Sequence, residues 1–143
     1  MSKNQIENRP FSEEQVYGII SISNGYKDQA QLRYKGFHFL EFFHFDDVDK
    51  NTAYYDMETK SYKGLYPMTM SQARLIAHII KQNWNIITVL IIQCGAGISR
   101  SAGIAGAVYK HFIGDDSFIF DSPKYKPNMH CYSLLLKELK DGS

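Results

Sequence analysis

The chain has 143 residues, of which 44% are hydrophobic and 22% charged, and its formal net charge is +1. That length suits one domain, 1–143, with a core of its own. The near-neutral charge excludes nucleic-acid binding driven by a basic face, so any anion recognition must be local.

The opening stretch, Met1 to Pro10, is polar and has no apolar core of the kind a secretory signal needs. The longest apolar run, Ile86 to Ile92, is broken by Thr88 and is far too short to span a bilayer. Two cysteines, Cys94 and Cys131, make no disulfide framework. These features lead to the expectation of a cytoplasmic, membrane-free monomer.

In chain order, Val16 to Ser23 is β-branched and apolar and ends at the turn signal Asn24-Gly25, which predicts a strand. A second strand is expected over Phe37 to Phe45, running into Asp46-Asp47-Val48-Asp49. Lys50 to Tyr66 has no clear period and reads as a long loop. Its tyrosines either line a groove or cover the sheet. Met70 to Trp84 carries Ala73, Ile76, Ala77 and Ile80 at helical spacing, with Thr69 or Ser71 as N-cap. Ile86 to Ile92 reads as a buried strand of a parallel sheet. Ser101 to Phe112 predicts a helix stopped by Gly114, and Met129 to Leu139 a last helix entered through Pro127-Asn128. This alternation predicts an α/β fold, three layers α/β/α around a central, mostly parallel sheet.

The chemistry concentrates in Gln93 to Gly103, QCGAGISRSAG, between the buried strand and the helix. A cysteine at a strand's carboxyl end and an arginine six positions later, at a helix start, can frame an anion pocket. The backbone N–H groups of Gly95, Ala96, Gly97, Ile98 and Ser99 can point inward as a nest backed by the helix N-terminus. Gly95 and Gly97 permit positive φ angles in such a curl. Arg100 can fork two hydrogen bonds onto phosphate oxygens. The same donors favour thiolate at Cys94, lowering its pKa from about 8.5 toward roughly 3.5–7.5.

Cys94-x5-Arg100-Ser101 resembles the signature of the cysteine-dependent phosphatase superfamily. The fuller string Ala96-Gly97-Ile98-Ser99-Arg100-Ser101 is similar to its dual-specificity branch, in the compact form found in bacteria and phages. Pro127-Asn128 before Leu134-Leu135 is similar to a segment of that branch. The resemblance covers roughly Leu40 to Asp49 and Asn83 to Leu136 and implies the phosphotyrosine protein phosphatase fold. It also implies hydrolysis of phosphate monoesters through a phosphocysteine, with no cofactor and no metal. Cys94 would be the nucleophile, Arg100 with the loop the phosphate binder, and Ser101 the hydroxyl that aids release of the thiol. Gln93 and Asn128 would brace the loop from behind. Gln93 stands where the family usually has histidine. That change is expected to weaken thiol activation, although the amide can still hydrogen-bond.

Expelling an alkoxide or phenoxide needs a general acid, and activating water afterwards needs a base; one carboxyl can serve both. By resemblance this aspartate follows the strand upstream. Direct count puts Asp46 there, with Asp47 and Asp49 as alternatives because Lys50 to Tyr66 looks like an insertion. Asp115, Asp116 and Asp121 would suit a low-molecular-weight phosphatase, whose signature lies near the N-terminus, unlike this one. Cys131 is expected to be core, with a resolving-thiol role as the rival reading. His38, His44, His78, His111 and His130 lack tight metal-ligand spacing.

Residues 95–99 contain no lysine, which disfavours polyphosphorylated substrates by resemblance. The expected partner is a phosphorylated protein, phosphotyrosine first, or a small phosphoester. The rival from another class is a pseudophosphatase that binds phosphorylated partners without turnover. A rhodanese or arsenate-reductase activity is disfavoured by the Ser-Arg-Ser ending.

Overall fold

A computed structural model describes residues 1–141. Its centre is a three-stranded parallel sheet in the order β2-β1-β5, where β1 is Tyr17–Ser23, β2 is Phe39–His44 and β5 is Val89–Gln93. All seven residues of the middle strand β1 are buried. This is why it reads as a continuous apolar run rather than an alternating one. The chain is a mixed α/β protein.

Three helices cover one face: α2 (Met70–Asn83), α3 (Arg100–Val108) and α5 (Met129–Lys140). Helix α2 starts where the sequence predicts. Thr69 Oγ1 accepts from the Gln72 N–H while Gln72 Oε1 accepts from the Thr69 N–H, a reciprocal cap. Its buried stripe is Ala73, Ile76, Ala77 and Ile80. Helix α5 is capped by Asn128 and buries Cys131, Leu135 and Leu139. A Cβ at Gly103 of α3 would sit 2.4 Å from Asn128 O, so that glycine lets the two helices close together. Helix α3 runs on as a π-helical turn, Tyr109–Ile113, and stops at Gly114 with φ of 84°. A four-residue helix, α4 (Ser117–Phe120), follows.

The opposite face carries less helix than expected. Among the described residues only a six-residue helix, α1 (Lys3–Asn8), lies there, joined by Phe11 and by chain around Ala30 to Phe37. Ile6 packs with Tyr17, Ile19, Ala30 and Ile91, and the Phe11 ring meets Tyr17 edge-on at 5.1 Å. Six residues make no stable helix alone. Burial of Ile6, worth about 1.5–3 kcal/mol, holds α1 in place.

Lys50 to Tyr66, expected as a loop, contains an antiparallel hairpin: β3 (Tyr54–Asp56) and β4 (Ser61–Lys63). Its strands have three residues each and are largely exposed, too short for a two-residue period to register. Among the described residues no helix is long and apolar enough to cross a membrane.

Candidate active site

The carboxyl ends of the three parallel strands converge, as ligand sites in parallel sheets generally do. β1 delivers Asn24, β2 delivers Phe45 to Asp47, and β5 delivers Cys94. Asp47, Cys94, Ala96, Ile98, Ser99, Arg100 and Lys126 line a cavity of about 390 Å³.

Cys94 is only 2% exposed. The Ser101 hydroxyl lies 3.1 Å from Sγ and the Ser101 N–H donates to it at 3.4 Å. Burial pushes the Cys94 thiol up. The Ser101 hydroxyl and N–H, the Gly97 N–H and the Arg100 charge outweigh that push and hold the thiol below its ordinary value. Cys131 shows the contrast: burial, with Asp47 behind it, pushes its thiol up to about 12. One thiol is poised to ionise, and the other is core.

Arg100 is 9% exposed, and its Nη1 donates to Asn24 Oδ1 at 2.6 Å and to Phe45 O at 2.8 Å. These bonds aim the guanidinium from the ends of β1 and β2. Asn24 is itself fixed, since Asp28 accepts from the N–H groups of Asn24 and Gly25 at 3.1 and 2.9 Å. In the sequence Asn24-Gly25 signals only a turn. Its place at the end of a central strand was the one hint that its side chain could face the site.

Of the two loop glycines, only Gly97 uses a left-handed conformation, with φ of 72°. Gly95 does not use the freedom that the sequence allows it there. Ile98 sits at the rim, 38% exposed, and the Ser99 hydroxyl turns away from capping α3 to donate to Asp47 Oδ1 at 2.8 Å.

Gln93 is buried where its side chain can do two things. Its Oε1 accepts from the Ser21 hydroxyl on the neighbouring strand, and its Nε2 donates to Cys94 O at 2.9 Å. The amide therefore braces the cysteine's own peptide. Asn128 works from the other side: its Oδ1 caps α5 at Cys131 N, and its Nδ2 donates to Asp47 Oδ1 at 2.9 Å.

The three acidic candidates go to three places. Asp46 is bound to the base of the hairpin insertion: its Oδ2 accepts from Tyr66 N–H at 2.8 Å and its own N–H donates to Tyr66 O at 2.7 Å. It does not line the Cys94 cavity. Asp47 does, with both side-chain bonds falling on Oδ1. Asp49 lines an adjoining cavity of about 890 Å³ that shares Asp47 and Ser99 with the first but excludes Cys94. Of the three candidates, Asp47 is thus the one that shares a cavity with Cys94, while Asp46 ties the insertion down.

No motif in the sequence marks Lys126 for this site. Residues 95–99 hold no lysine, yet Lys126 reaches the same cavity from 26 positions beyond Arg100. The Lys126 N–H donates to Ile98 O at 3.1 Å, which brings its backbone against the loop. The Arg100 guanidinium and Lys126, which line the cavity with Cys94, favour an anion there.

Compared with known families and with curated proteins, the chain matches no family model and no curated sequence.

Proposed function

We propose that this protein is a cysteine-dependent phosphatase of the dual-specificity type, hydrolysing phosphate monoesters of proteins, phosphotyrosine first, or of small molecules. The observation that carries the reading is Cys94 Sγ on the floor of the Arg100 cavity, hydrogen-bonded by Ser101. The reading includes the three-layer phosphatase architecture, α1 and the 30–37 segment forming its thinner layer.

In the first step the Cys94 thiolate attacks phosphorus. A sulfur–phosphorus bond forms as the ester oxygen–phosphorus bond breaks, and Asp47 gives its proton to the departing oxygen. Arg100 and the loop amides hold the equatorial oxygens as charge builds on them. In the second step water attacks the phosphocysteine and loses its proton to Asp47. The bonding pair returns to Cys94, where the Ser101 hydroxyl stabilises the thiolate. Lys126 adds a cation to the cavity lining, which tempers the expectation against polyphosphorylated substrates.

A phosphoester-binding role without turnover is the second reading, favoured by Asp47, whose Oδ1 Ser99 and Asn128 already engage. Hydrolysis of para-nitrophenyl phosphate separates the two. Wild-type protein should turn it over, and Cys94→Ser should fall to background while inorganic phosphate still binds. Equal rates in wild type and Cys94→Ser reject the nucleophile.

A further inference from the structure

A loop that turns its N–H groups inward toward an anion must turn its carbonyls outward, where donors from the surrounding chain can hold them. Around this loop four such carbonyls are held. Cys94 O is met by Gln93 Nε2 at 2.9 Å, Ile98 O by the Lys126 N–H at 3.1 Å, and Ser99 O by the Asn128 N–H at 2.9 Å. Gly95 O is met by the N–H of Lys3 at 2.9 Å, from a segment more than ninety positions away.

Lys3 does not act alone. The Met1 nitrogen donates to Ile92 O at 3.0 Å and Met1 O accepts from the Cys94 N–H at 3.1 Å, which is the bonding pattern of a parallel bridge along the open edge of β5. The cysteine's own N–H is thereby turned away from the cavity. Gly97 packs so tightly here that a Cβ on it would lie 2.5 Å from Ser2 N and 2.6 Å from Met1 C. The segment is fastened behind the loop by Ile6, which is 0% exposed, and by the reciprocal cap between Ser2 and Gln5.

We propose that residues 1–8 are a clasp for the phosphate loop, and that the backbone N–H of Lys3 is a positioning group which holds Gly95 O outward and so keeps the loop open to an anion. The proposal rests on the phosphatase reading for the identity of that anion. The clasp itself concerns only the shape of the loop.

The geometry supplies a clean test. Lys3 is the first residue of α1, where proline is well tolerated because its missing N–H has no helical partner. Ser2, at φ −82° and ψ 166°, already has the extended backbone that a following proline requires. Lys3→Pro therefore removes the donor to Gly95 O at little cost to α1, while Lys3→Ala keeps the donor and removes only the side chain.

Two readouts on the full chain use no turnover: protection of Cys94 from iodoacetamide by inorganic phosphate, and the pH midpoint of that alkylation. Lys3→Pro should weaken phosphate protection by about two- to tenfold, the scale of one lost hydrogen bond of about 0.5–1.5 kcal/mol, and move the midpoint upward. Lys3→Ala should match wild type. Phosphate protection unchanged in Lys3→Pro, or lost equally in Lys3→Ala, overturns the clasp. If Lys3→Pro fails to fold, Ile6→Ala serves instead, since it loosens α1 from beneath. A lowered Tm with weakened phosphate protection supports the clasp, and a lowered Tm with unchanged protection overturns it. Absence of para-nitrophenyl phosphate turnover in wild type rejects the phosphatase reading, while the alkylation midpoints of the Lys3 pair still decide the clasp.

Discussion

The Cys94–Ser101 loop and the acidic stretch after β2 both contribute to one cavity, but they are built in opposite ways. The loop is contiguous: thiol, glycines, arginine and serine occupy positions 94–101, and strand and helix ends place them. The acidic stretch offers three carboxylates within four residues, and contacts far along the chain choose among them. Tyr66 takes Asp46, Ser99 and Asn128 take Asp47, and Asp49 faces another cavity. A motif whose atoms meet through local backbone geometry can be read directly. One that depends on a partner 20 or 81 positions away cannot.

The sharpest way to break that comparison is to exchange the two neighbouring aspartates' roles by mutation. Asp47→Asn should slow hydrolysis of phenyl phosphate, a poor leaving group, by about 10²–10⁴-fold. It should barely affect a fluorinated coumarin phosphate, and the fall of the rate at high pH should disappear. Asp46→Asn should stay within tenfold on both esters, because an amide oxygen can still accept from the Tyr66 N–H. A leaving-group dependence in Asp46→Asn and none in Asp47→Asn would restore the direct count from sequence.

A smaller effect is expected on the loop's side. Asn24→Ala removes one of two acceptors that aim Arg100. Hydrogen bonds to charged groups contribute about 1.5–3 kcal/mol, so inhibition by inorganic phosphate should weaken by about ten-fold or more. The thermal midpoint should change little, since Asn24 is exposed. Undiminished phosphate inhibition would show that Phe45 O alone orients the guanidinium.

The smallest effect is thermodynamic. The Cys94 thiol is held below its ordinary value in the folded chain, so folding favours the thiolate. This stabilisation is complete above the unfolded thiol's value of about 8.5 and is lost as pH falls through the lower, folded value. The stability of wild type minus that of Cys94→Ser should therefore rise with pH between those two values and level off above. Urea unfolding at a series of pH values measures it. A difference that falls with rising pH contradicts the hydrogen bonding assigned to Sγ.

Much of the fold follows from local patterns. β1 and the capped, striped α2 lie within a residue or so of expectation, because burial on both faces and helical period leave strong marks. The strand expected from Ile86 begins instead at Val89, since Ile86 and Ile87 donate their N–H groups to Asn83 O as the α2 exit turn. Helix α1 leaves no apolar period in the sequence because one of its residues, Ile6, is buried. The π-helical turn left no mark either: Tyr109 to Ile113 keep helical spacing, and only the bonding partner shifts.

For this chain the sequence alone determined the sheet's apolar strands, the starts of α2, α3 and α5, and the full set of groups in the Cys94–Ser101 loop. Those depend on side-chain pattern and on neighbours a few residues apart. Tertiary structure alone decided which aspartate lines the Cys94 cavity, that Asn24 aims Arg100, that Lys126 lines the cavity too, and that Lys3 meets the carbonyl of Gly95. Each of these is a single hydrogen bond or approach between distant segments. No periodicity encodes it, because it exists only once the core has brought the strand ends together.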